Sequence, residues 1–92
     1  MAAGAGTTTV DFGATPSDFK SFTITDAAIT AGGYVEAFFM IDSSANNTID
    51  DHRRGAVWCR FVCLPAAGSF TLEIYSLMGM MTGLFKIRYA YA

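Results

Sequence analysis

The sequence predicts an all-β fold, a small antiparallel β-sandwich or barrel of about six strands. Alternating polarity is the first reason. Over residues 85–92, Phe85, Ile87, Tyr89 and Tyr91 share one parity and Lys86, Arg88, Ala90 and Ala92 the other, the period of a strand with one face inward. The run Ser69–Tyr75 repeats the pattern, with Phe70, Leu72 and Ile74 on one face and Thr71 and Glu73 on the other. The compatibility of these two runs is the second reason. They suit a hairpin with both apolar faces on one side, and Glu73 would share the outer face with Lys86 and Arg88. Turn residues recurring roughly every dozen positions are the third.

Residues 1–7 have no periodicity and are expected to form a flexible arm, leaving 8–92 as a single β-sandwich domain. Thr8–Phe12 reads as a short strand with Val10 and Phe12 inward. The turn cluster 13–18 follows, and Phe19–Thr25 reads as a strand with Phe22 and Ile24 toward the core. Asp26 is placed to cap a single helical turn, with Ile29 plugging one end of the fold. Tyr34–Asp42 is the most apolar strand. Val35, Ala37, Phe39 and Ile41 make one face, while Tyr34, Phe38 and Met40 stand with Glu36 on the other, a pattern that implies a central strand or one covered from outside. Residues 43–55 read as a polar connection. A further strand over Ala56–Leu64 sets Val57, Cys59, Phe61 and Cys63 against Trp58, Arg60 and Val62, and Leu64–Gly68 reads as a turn because Pro65 cannot donate to a ladder. Residues 77–83 connect the last two strands.

Composition narrows the function classes. Charged residues make up 15% of the chain, against roughly 25% in ordinary soluble domains, while hydrophobic residues reach 52%. A 92-residue domain cannot enclose that much apolar surface, so exposed patches covered by partner subunits are expected. A net charge of −2 with six Lys and Arg argues against nucleic-acid binding. Residues 1–6 lack the basic and apolar regions of a secretory signal, and no run reaches the length of a membrane span. The Asn46-Asn47-Thr48 sequon therefore carries little weight. On one strand, Cys59 and Cys63 would stand about 13 Å apart, beyond disulfide reach. They are expected as free, buried thiols.

No catalytic, metal or cofactor site is expected. Asp50-Asp51-His52-Arg53-Arg54 is the only cluster holding acid, base and cation together, but consecutive loop side chains diverge, so it reads as a solvated or subunit-contact salt-bridge cluster. A single histidine leaves no two-histidine metal motif. Neither cysteine has a nearby base, and no Gly-x-Ser-x-Gly elbow occurs. The interface candidates are Phe38 and Met40, Trp58, and the adaptable Met78, Met80 and Met81 between glycines.

Val10–Pro16, Phe22–Asp26, Tyr34–Phe38 and Gly83–Tyr89 together resemble small tailed-bacteriophage virion structural proteins. In those, a strand ending in a threonine-aspartate turn precedes a valine-rich strand, and a glycine starts the closing strand. Asp51-His52 also sits where such sequences often carry an acid-histidine loop. The resemblance spans nearly the whole chain after residue 8 and implies a β-sandwich virion component of decoration, fibre or tail type. The expected function is a capsid decoration or cement subunit acting by homo-oligomeric assembly, made in the host cytoplasm and resident in the virion. The partners would be other copies of the chain and another virion protein such as the major capsid protein, with no nucleic acid and no membrane. The alternatives are a tail, collar or fibre component, or a carbohydrate-binding module in which Trp58 and Tyr75 would hold a glycan.

Overall fold

The computed structural model describes residues 3–92. In chain order the elements are β1 (Gly4–Asp11), β2 (Phe19–Thr25), β3 (Val35–Phe39), α1 (Ile49–Trp58), β4 (Cys59–Ala66), β5 (Ser69–Ser76) and β6 (Leu84–Tyr91). The strands form two three-stranded antiparallel sheets, ordered β1-β6-β3 and β2-β5-β4. Packed against each other, they make a small all-β sandwich.

The alternation at the end of the chain builds the core. Phe70, Leu72 and Ile74 of β5 and Ile87 of β6 are fully buried, and Phe85 and Tyr89 almost so. Side chains of one parity leave a strand on one face, so each run commits a whole face to the interior. The expected hairpin between these two strands is not formed. β5 pairs with β2 and β4, and β6 with β1 and β3. Two strands lying side by side would point both apolar faces the same way and leave them needing a third cover. As the middle strands of opposed sheets, they cover each other. Glu73 and the pair Lys86 and Arg88 consequently lie on outer faces of different sheets.

Phe12 ties the layers together, its ring standing edge-on to Phe22 at 5.5 Å and to Phe85 at 5.6 Å. Ile29 is 3% exposed and closes one end, on a turn in which Asp26 accepts the Ala28 amide through its side chain and the Ile29 amide through its carbonyl.

Several boundaries differ from the sequence reading. β1 begins at Gly4, so Gly4–Thr7 of the expected arm are in strand pairing with β6; Met1 and Ala2 lie outside the described residues. β3 stops at Phe39 and is an edge strand, which leaves Ile41 55% exposed rather than on the core face. Residues 49–58 form a helix where a polar connection and the start of a strand were expected. Thr48 caps it: its hydroxyl accepts the Asp51 amide at 3.1 Å, and the Thr48 amide donates to the Asp51 carboxylate at 2.8 Å. Val57 is therefore a helical residue, 77% exposed, not a partner of Cys59. Pro65 belongs to β4 and not to the turn, which lies at Ala67-Gly68. Pro65 is tolerated because β4 is an edge strand and its missing amide falls on the unpaired side. Cys59 and Cys63 are free as expected but only half-buried, and burial pushes both thiols up, holding them protonated at neutral pH.

The glycines of β1 have a packing reason. Gly6 lies opposite Tyr89 and Gly4 opposite Tyr91, and the two tyrosine rings lean over them. A Cβ on Gly6 would sit 2.5 Å from Cζ of Tyr89. Beyond the glycine, the Tyr89 hydroxyl donates to the Asp26 carboxylate at 2.7 Å. That bond holds the Asp26 carboxyl below its ordinary value, while burial first and the Asp26 hydrogen bond second push Tyr89 up to about 12.

Two outcomes are expected. Gly6→Val displaces the Tyr89 ring and costs about 2 kcal/mol, read as a lower urea midpoint; an unchanged midpoint would show that the ring has another place to go. Because the Tyr89 pKa is raised on folding, its stabilisation is present below the unfolded value of about 10 and is lost as pH rises toward about 12. Tyr89→Phe should therefore flatten the alkaline fall in stability. It should also flatten the acid loss that Asp26 contributes, since a lowered carboxyl stabilises above its unfolded pKa and ceases to do so as pH falls through the folded one.

Candidate interaction surface

The acid-histidine cluster resolves into a structural device. On α1, Asp50 pairs with Arg53 at 3.0 Å and Asp51 with Arg54 at 2.8 Å, on the solvent side and one helical turn apart. His52 points the other way and is fully buried. Its Nε2 accepts the Lys86 amide of β6 at 2.9 Å, which fixes the neutral ring with its proton on Nδ1, donated to the Thr48 carbonyl at 2.9 Å. β3 has ended by this point: the Met40 amide makes the last ladder bond, to the Lys86 carbonyl at 2.9 Å. The imidazole thus takes the place of the next backbone acceptor. Gly55 brings the helix close, since a Cβ there would lie 2.8 Å from the Phe39 ring.

The connection before the helix is pinned to the start of β6. Asn46 accepts the Leu84 amide at 2.8 Å, and Asn47 donates to the carbonyls of Thr82 and Leu84, both at 2.9 Å. The sequon residues are therefore structural latches. Gly83 is required twice here, by a φ of +76° and by the Asn46 amide, 2.7 Å from where a Cβ would be.

Three of the interface candidates come together. Trp58 ends α1, and its carbonyl accepts the Leu77 amide at 2.9 Å, which draws the β5–β6 connection over the indole. Gly79 lies on the ring face, where an added Cβ would be 3.1 Å from Cζ3. Trp58 is thereby half-buried, with Met78 (72% exposed) and Met80 (62% exposed) displayed beside it. Met81 is not part of this surface. It is 4% exposed, bridges to Ser17 through backbone bonds and packs into the core, on the same parity as the inward residues of β6. Phe38 and Met40 lie elsewhere, on and just beyond β3. Phe38 is half-exposed opposite Arg88, and Met40 is partly covered near Thr7–Thr9.

Sequence reasoning missed Leu77 and Phe19, and named Tyr75 only as a glycan contact beside Trp58. Leu77 is 62% exposed beside Met78. Phe19 and Tyr75 stand 4.7 Å apart on the outer face of their sheet, at the same end, with Arg60 opposite Tyr75. The signal was present: in both strands these aromatics occupy the polar parity. The result is an apolar end comprising Leu77, Met78, Met80 and Trp58, continued by the Phe19–Tyr75 pair.

No protein-family model matches the chain, and no curated protein or solved structure is significantly similar to it. Function has to be argued from this geometry. Among the described residues no three His, Cys, Asp or Glu side chains converge as metal ligands, and no buried side-chain polar atom lacks a hydrogen-bond partner. No described helix is long and apolar enough to cross a membrane. The apolar end displays large, flexible side chains on a fixed connection.

His52→Ala should cost about 3 kcal/mol, from the lost ring and the orphaned Lys86 amide. Asp50→Asn should change stability by less than about 0.5 kcal/mol. Chemical denaturation of the two variants separates them, and equal effects would deny His52 this role.

Proposed function

We propose that this chain is a non-catalytic structural subunit of a multi-copy assembly, most closely a bacteriophage capsid decoration or cement protein. One observation carries the reading: a charge-poor sandwich displays a preorganised apolar end. Leu77, Met78 and Met80 are each at least 62% exposed, yet their connection is tied down by the Leu77–Trp58 and Ser17–Met81 backbone bonds. Fixing the connection in advance lowers the ordering cost of docking. Methionines on a fixed turn adapt to a partner's contours. The sequence resemblance to tailed-phage virion proteins supplies the viral context, and the major capsid protein is the partner that a small coating subunit would take. In that setting the apolar end docks on the shell. Trp58 acts as its half-buried anchor and Arg60 as a polar rim, an arrangement in which central apolar residues carry most of the energy.

The test uses capsids assembled from the major capsid protein of the same phage. The wild-type chain should co-sediment with them. The triple variant L77S/M78S/M80S should lower the affinity by at least about tenfold, since each apolar side chain buried contributes about 1.5–3 kcal/mol, while its circular dichroism stays unchanged. Absence of the chain from purified particles, or equal binding by the triple variant, would overturn the reading.

A further inference from the structure

Four strand edges bound the two sheets, and three of them carry a feature that blocks pairing with another chain. On β2, Lys20 shares the parity of Phe22 and Ile24, an inward-pointing charge on an edge. On β4, Pro65 removes an amide from the open side, and Arg60 adds a charge. β3 is five residues long, contains Glu36, and has the Ala37 amide beside the Cys63 thiol of β4. β1 has only Asp11, at its last position. Gly4–Val10 contains no charge and no proline, and its register with β6 runs unbroken from Gly4 to Asp11, without a bulge.

The ladder parity shows which groups of β1 are free. The Phe12 amide donates to Gly83, and Tyr34 and Ala92 exchange bonds across β3 and β6. Odd residues of β6 therefore face β1, and the even residues of β1 face β6. The amides and carbonyls of Ala5, Thr7 and Thr9 point away from the sheet, and their side chains are exposed.

We propose that this edge pairs with β1 of a second copy of the chain, antiparallel about a twofold axis at Thr7. In that register Thr7 faces Thr7 and Ala5 faces Thr9, and the outward groups make about six backbone hydrogen bonds. Sizes match: Gly4 meets Val10 and Gly6 meets Thr8, so a β-branched residue sits beside each glycine roofed by a tyrosine ring. Asp11, the only charge in β1, falls opposite Ala3 rather than another acid. The product is a continuous sheet of order β3-β6-β1-β1-β6-β3. An isologous contact of this kind is self-limiting at two copies. It uses a surface separate from the apolar end and does not rest on the viral reading.

Sedimentation equilibrium on the purified chain at high micromolar concentration tests it. The wild type should be a dimer. Thr7→Lys and Thr7→Glu, which set like charges against each other on the axis, should each weaken the dimer at least about tenfold. An equimolar mixture of the two should restore it. Thr7→Pro removes an amide that is unbonded in the monomer, so it should give a folded monomer by circular dichroism. L77S/M78S/M80S should remain dimeric. A monomeric wild type, a dimer indifferent to all three Thr7 substitutions, or a dimer lost only in the triple variant would each overturn the proposal.

Discussion

Mutual burial of the β5 and β6 faces is the constraint on which the rest of the structure depends. Each strand is the middle of its sheet, and each turns a complete row of large apolar side chains inward. A face of that kind has no stable state except against another of the same sort. Once the two rows are opposed, the remaining strands are assigned to flanks, and flanking strands need bury only part of what they carry. Hence β2 contributes Phe22 and Ile24 and leaves Phe19 outside, while β3 buries Phe39 and leaves Phe38 outside. The exposed apolar residues are a consequence of a core that is already full, in a domain too small to add a further layer.

Most of the strands were legible because period-two alternation is a local property of the sequence. β2 falls on the residues expected of it, and the inward parities of β1, β4, β5 and β6 agree with the pattern. What could not be read was which strand neighbours which. Glu73 on one outer face with Lys86 and Arg88 is a reasonable cross-strand arrangement, but parity alone does not distinguish strands side by side from strands face to face. The helix was missed for a different reason. Its apolar content is slight, and Gly55 in its middle costs about 1 kcal/mol against alanine, so no amphipathic stripe announces it. Its true signal was the Thr48-x-x-Asp51 box with Asp50 in the first turn. The tertiary gain that offsets Gly55 is the close approach to Phe39, which no local pattern contains.

Residues 43–58 act as a single fastening between the two layers. Asn46 and Asn47 hold the start of β6, His52 supplies the acceptor that β3 ends too soon to provide, and α1 delivers the chain directly into β4 of the opposite sheet. By ending at Trp58, the helix also fixes where the β5–β6 connection must lie, because the Leu77 amide has the Trp58 carbonyl as its partner. The apolar end is thus positioned by the element that closes the sandwich. Its parity follows too: with Met81 committed to the core and to Ser17, Met80 and Met78 are left on the outside.

β1 contrasts with every other strand in what it contributes. Four of its inward positions are Gly4, Gly6, Thr8 and Val10, and over the first two the packing surface is supplied by Tyr91 and Tyr89 of β6. It provides a backbone on which β6 rests its aromatic rings, and it adds little side-chain bulk of its own. A larger residue at Gly6 would evict Tyr89 from Asp26, so the demand that keeps the strand small comes from the interior. The same smallness leaves its outer edge free of charge from Gly4 to Val10, with Asp11 at its end. An edge of that composition distinguishes partners by spacing and size more than by charge, and in the proposed pairing its own sequence, reversed about Thr7, matches it in both respects.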